Sequence, residues 1–135
     1  MTVKLETQAI RTMGVFEKVT RVHPKDCLIM DNCIYFLVDT RKVGLAVGKN
    51  GSTAKELSGM FKKHIRLFGY SDDPETMMRN MIPGLKSIRM DNGIVTVSIE
   101  SKDRFPVIGK NGENINAIRE IMKRHFSIER IRLKI

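Results

Sequence analysis

Apolar residues recur along this chain with two periods, and the two alternate in the same order twice. Leu5, Ala9, Ile10, Met13 and Phe16 keep the spacing of one helical face and predict an N-terminal helix. Val19 to Pro24 keeps neither period and reads as a connector. Cys27-Leu28-Ile29-Met30 and the run Cys33 to Val38 flank Asp31-Asn32, two residues suited to a tight link, which predicts a hairpin. In that hairpin Met30 faces Cys33 and Cys27 faces Phe36. Lys42 to Val47 predicts a short helix ending at Gly48. Ser52 to Lys63 predicts a longer one, with Ser52 and Glu56 near its start, and Ile65 to Tyr70 a closing strand.

The pattern then restarts. Ser71-Asp72-Asp73-Pro74 marks a boundary, with Asp73 placed to cap a helix and Pro74 at its first position. Met77, Met78, Met81 and Ile82 form that helix's apolar side, and Pro83-Gly84 stops it. Lys86 to Met90 and Ile94 to Ile99 predict a second hairpin around Asp91-Asn92-Gly93. Asp103 to Ile108 predicts a short helix that tolerates Pro106 in its early turn. Glu113 to His125 predicts a long helix, and Ile128 to Ile135 a last strand.

The restart is a duplication. Met30-Asp31-Asn32 recurs as Met90-Asp91-Asn92, and Gly48-Lys49-Asn50-Gly51 recurs as Gly109-Lys110-Asn111-Gly112. Ala54, Leu57, Met60 and Phe61 match Ile115, Ile118, Ile121 and Met122. Lys62-Lys63-His64 matches Lys123-Arg124-His125, which puts His64 and His125 at equivalent positions ending the long helices. Self-similarity at one spacing predicts two similar units, 1–70 and 71–135. Each reads helix–strand–strand–helix–helix–strand. The expected fold class is therefore α+β, with a three-stranded sheet covered by three helices in each unit.

Composition narrows the partners. The 135 residues hold 24 Lys plus Arg against 15 Asp plus Glu, a formal charge of +9. Residues 1–70 hold twelve basic and six acidic side chains, and the remainder twelve and nine. This surplus favours anionic partners, namely RNA, DNA or an acidic protein. An apolar content of 41% argues against wholesale disorder. Cys27 and Cys33 are offset in the predicted hairpin, so buried thiols are expected rather than a disulfide. Two cysteines do not form a structural zinc site, and no metal or cofactor is expected. There is no secretory segment and no long apolar run, so no membrane partner and a cytoplasmic location are expected.

The repeated glycine turns carry the candidate chemistry. A loop between two helices exposes the start of the second, whose first amides lack intrahelical partners. Those amides and the helix dipole favour anions. Gly48, Gly51, Gly109 and Gly112 permit close backbone approach. Lys49 and Lys110 add mobile positive charge, and Asn50 and Asn111 add hydrogen-bonding groups. Neither turn has the spacing of a nucleotide P-loop or of a dinucleotide fingerprint.

Val47-Gly48-Lys49-Asn50-Gly51 and Ile108-Gly109-Lys110-Asn111-Gly112, with their matching flanks, resemble the KH family in its type II arrangement. The resemblance covers nearly all of the chain as two tandem domains. It implies that each turn contacts the backbone of a single-stranded RNA while bases enter an adjacent apolar groove. Val47, Ala54 and Leu57 are then groove or core candidates in the first unit, and Ile108, Ile115 and Ile118 in the second. Asp26-Cys27, Ile65-Arg66-Leu67-Phe68 and the Asp-Pro helix leading to Ile82-Pro83-Gly84 are similar to tandem-KH transcription factors of archaea. That similarity implies RNA binding in transcription elongation, termination or antitermination. RNA polymerase or associated transcription proteins are the further partners it implies.

Lys55, Lys62, Lys63, Lys123, Arg124 and Arg119 are peripheral candidates for phosphate contact. Phe36, Phe61 and Phe126 are expected in the core, and Tyr35, opposite Phe36, at the surface. No enzyme centre emerges, because His23, His64 and His125 lack a nucleophile, carboxylate or metal partner at suitable spacing. The competing reading is a protein-interaction module of the transcription machinery on the same scaffold. A further alternative is binding to DNA.

Overall fold

The computed structural model describes residues 2–135, with side chains from Thr7 onward. Leu5, assigned above to the first apolar stripe, lies outside the described side chains. The chain divides into two compact units, Met1–Ser71 and Asp72–Ile135, and each is mixed α+β. Among the described residues no helix is long and apolar enough to cross a membrane.

In the first unit, helix α1 (Thr2–Thr20) leads to strands β1 (Asp26–Ile29) and β2 (Cys33–Asp39). The helix runs into the stretch expected to be a connector. The Thr20 hydroxyl donates to the Phe16 carbonyl at 2.8 Å and accepts from the Val22 amide at 3.0 Å, which secures the last turn. Arg21 then ends it in a left-handed conformation, φ 65°. β1 and β2 pair antiparallel, with Cys27 opposite Phe36. A 3-10 turn, Thr40–Lys42, and helix α2 (Val43–Val47) replace the single short helix expected from Lys42. Helix α3 (Ser52–Phe61) follows the glycine turn, and strand β3 (His64–Tyr70) closes the sheet beside β2. β2 and β3 are parallel, which requires a crossover, and α2 with α3 supplies it.

The core of this unit gathers Phe16, Val22, Cys27, Ile34, Phe36, Val38, Ala46 and Leu57. Phe16 and Phe36 stack with ring centroids 4.1 Å apart. Ile34, Phe36 and Val38 share one face of β2, as period-two alternation demands. Cys33, Tyr35 and Leu37, on the other face, are buried too. Tyr35 is therefore not the surface residue expected: it is 2% exposed and stacks against Phe68 at 5.9 Å. Phe61 is half-buried against the core. Both cysteines are buried free thiols.

The second unit repeats the order with α4 (Pro74–Met81), β4 (Ser87–Asp91), β5 (Ile94–Ser98), α5 (Arg104–Ile108), α6 (Glu113–Phe126) and β6 (Arg130–Lys134). Asp73 caps α4 by accepting from the Thr76 amide at 2.9 Å, with Pro74 in the first turn. β4 and β5 pair antiparallel, and β5 and β6 pair parallel. A 3-10 turn, Ser101–Asp103, precedes α5, and Pro106 sits early enough in α5 that its missing amide breaks no interior bond. Met77, Met78, Met81, Val97, Ala117, Ile118 and Met122 are among the buried residues, and Phe126 is half-buried.

Candidate nucleic-acid interface

The two Gly-Lys-Asn-Gly segments adopt the same backbone. Gly48 has φ 82° and ψ 167°, and Gly109 has φ 77° and ψ 173°. Asn50 and Asn111 lie at φ 55° and 56°, and Gly51 and Gly112 at φ 72° and 73°. In each turn the last glycine's amide donates to the first glycine's carbonyl at 3.1 Å. Each turn joins two helices, α2 to α3 and α5 to α6. Gly51 and Gly112 occupy the N-cap positions and bring no side-chain cap, so their helices' first amides gain no partner from them. Lys49, Asn50, Lys110 and Asn111 are all exposed.

The first glycine of each turn is fixed by contact as well as by its dihedrals. A Cβ on Gly48 would stand 2.9 Å from the Thr53 amide nitrogen, and one on Gly109 would stand 2.8 Å from the Cβ of Asn114. Gly51 has open space in that direction, and Gly112 meets only the Asn116 amide at 3.8 Å. The outer face of each turn is thus free of obstruction where a backbone would approach.

Asn114 was not singled out from the sequence. It is 5% exposed, and its side-chain amide donates to the carbonyls of Val107 at 2.8 Å and Pro106 at 3.3 Å. Those bonds tie the end of α5 to the start of α6 across the turn. Its only sequence signal was a polar residue two positions after Gly112, at the place Thr53 holds after Gly51. Upstream of the first turn, Asp39 accepts from the Arg41 amide at 2.9 Å and from its guanidinium at 3.2 and 3.0 Å. The bonds from Arg41's side chain, then its backbone, lower the Asp39 pKa to about 2. Glu100 holds the equivalent place before the second turn, with Lys102 3.7 Å away.

Of the apolar candidates, Val47, Ala54 and Ile108 are half-buried beside the turns. Leu57, Ile115 and Ile118 are buried, so they take the core role of the two open to them. Lys49, Lys55, Lys62, Lys110, Lys123, Arg119 and Arg124 are exposed. Lys63 is instead committed inside its unit, donating to the Met30 carbonyl at 2.7 Å. Phe105 is 77% exposed next to the second turn, where the first unit has Gly44, and no periodicity marked it.

One expected equivalence fails. His64 opens β3 opposite Cys33, whereas His125 is still inside α6. α6 has 14 residues against 10 in α3, so the repeat spacing changes after the turns. The structural partner of His64 is Arg130, opposite Ile94. Ile65-Arg66-Leu67 therefore corresponds to Ile131-Arg132-Leu133, with Arg66 beside Tyr35 and Arg132 beside Thr96. Among the described residues, no group of three or more His, Cys, Asp or Glu is placed to hold a metal ion.

Residues 10–102 match the KH domain family. A Methanocaldococcus jannaschii protein named "Probable transcription termination protein NusA" is 32% identical over 137 residues, spanning 97% of this chain and 75% of that protein. The chain belongs to the NusA family of KH-domain proteins. A NusA relative of the same name from Halococcus morrhuae is 30% identical, over 98% of this chain and 99% of its own length. The solved structure described as "Crystal structure of APE1850" superposes with a TM-score of 0.78 at 29% identity, covering 95% of this chain and 99% of that one.

Proposed function

We propose that this NusA-family chain is a single-stranded RNA-binding factor of transcription elongation and termination, built as two tandem type II KH domains, 1–70 and 71–135. Each Gly-Lys-Asn-Gly turn grips an RNA backbone. The observation that carries this reading is the repetition of one unusual turn backbone in both units, with exposed lysines and uncapped helix starts. Helix-start amides favour phosphate oxygens, and Lys49 and Lys110 add the charge. Val47, Ala54 and Ile108 offer apolar surface to bases beside the clamps, with Leu57, Ile115 and Ile118 behind them. The parallel strand pair spanned by two helices in each unit supports the type II assignment. The names of the NusA relatives support the transcriptional role, with RNA polymerase or its associated proteins as further partners.

Equilibrium binding to a randomised single-stranded RNA pool at several salt concentrations tests this reading. The comparison protein carries Lys49→Asp, Asn50→Asp, Lys110→Asp and Asn111→Asp, with folding checked by circular dichroism. A folded variant should lose most of its affinity, and wild-type affinity should fall steeply with salt. Unchanged RNA binding in that variant would remove the turns as the RNA site.

A further inference from the structure

The two units differ along the line that runs from the turn down the following helix. In the second unit that line is polar and tied. Gly112 faces the Asn116 side-chain amide, whose oxygen accepts from the Arg119 guanidinium at 3.2 Å. The same guanidinium donates to the Ile131 carbonyl on edge strand β6 at 3.4 Å. Arg119 thereby lines a groove of about 580 Å³ between α6 and β6. In the first unit the corresponding positions are Lys55 and Ser58, and Ser58 donates to the Lys63 carbonyl at 2.8 Å at the helix end. No guanidinium stands there. The helix starts differ as well, with Glu113 in the first turn of α6 and no acidic residue in that of α3.

We infer that Arg119 is a specificity-determining residue of the second unit, reading a nucleobase that presents two adjacent acceptors on one edge. This inference rests on the RNA-binding reading above. Arg119 lies about 10 Å along the helix axis from Gly112, beyond the clamped phosphate and within reach of a following nucleotide. Two of the five guanidinium N–H donors are engaged by Asn116 and Ile131, which orients the planar fork. The remaining donors match guanine at O6 and N7, or cytosine at O2 and N3. Adenine and uracil alternate donor and acceptor on their edges and match poorly. Asn116 is a positioning residue in this arrangement. The first unit, with mobile Lys49 and Lys55 and no acidic residue at the helix start, holds RNA with less regard to sequence.

The test is enrichment from a randomised single-stranded RNA pool by the full chain and by Arg119→Lys, which keeps the charge and removes the fork. Wild type should enrich guanine or cytosine at one position, by roughly 5- to 100-fold over the poorer bases. Arg119→Lys should lose that enrichment while keeping the salt dependence of binding. Replacing an enriched guanine with 7-deazaguanine, which lacks the N7 acceptor, should weaken binding, whereas a cytosine reader would not enrich guanine at all. Enrichment retained in Arg119→Lys, or no guanine or cytosine preference in wild type, would overturn the inference and leave the turn clamps standing. A wild-type chain that binds no RNA would overturn both.

Discussion

Gly109 and Asn114 approach so closely that a Cβ on the glycine would stand 2.8 Å from the Cβ of the asparagine. Gly109 also holds a backbone region, φ 77° and ψ 173°, that is essentially reserved for glycine. Gly109→Ala therefore combines dihedral strain with overpacking, together about 2–4 kcal/mol. Gly112→Ala meets only the left-handed strain, about 1–2 kcal/mol, because its outer side is open. Urea unfolding of the two variants should rank them in that order, and Gly48→Ala against Gly51→Ala should give the same ranking. Equal losses within either pair would mean that the contact beneath the first glycine is not what fixes the turn.

Asn114 holds the second turn from inside. Asn114→Ala removes its bonds to the Pro106 and Val107 carbonyls and should cost about 1–3 kcal/mol of stability. Asn114→Asp should cost more, since a carboxylate has no hydrogen to donate and would face two carbonyl oxygens. Both are measured by chemical unfolding. A stable Asn114→Asp would show that the amide donors are dispensable.

The acidic caps give a defined pH response. Asp39, lowered from 3.8 to about 2 by its bonds from Arg41, binds protons less readily when folded than when unfolded. Its contribution is therefore fully present above about pH 4 and is lost as pH falls towards 2. Asp73 is lowered in the same direction by the Thr76 hydroxyl and amide, so its contribution fades on the same side. Carboxyl shifts followed by NMR should titrate below the ordinary range at both residues, and Asp39→Asn should remove one of the two low transitions. An Asp39 titrating at 3.8 or above would contradict the Arg41 clamp.

Much of this architecture was legible because its signals are local. Asp31-Asn32 set the hairpin register that places Cys27 opposite Phe36, and Asp73-Pro74 marked the start of α4. The glycine turns were plain because their sequence repeats residue for residue. What escaped notice depends on tertiary context. The extra length of α6 shifted the repeat spacing after the turns, so matching Lys62-Lys63-His64 to Lys123-Arg124-His125 paired the start of a strand with the end of a helix. Tyr35 alternates correctly with Phe36, yet burial of both faces of β2 cannot be read from alternation alone. Asn114 looked like any polar residue in a first helical turn until the carbonyls ending α5 were placed above it. The end of α1 depended on the Thr20 hydroxyl, a side-chain bond that apolar periodicity does not encode.

The most direct measurement is an NMR titration of the isotope-labelled 135-residue chain with a short single-stranded RNA. Paired backbone clamps predict saturable shifts that are largest at the amides from Gly48 to Thr53 and from Gly109 to Asn114. Saturable binding whose shifts lie elsewhere, with both turns unmoved, would contradict them.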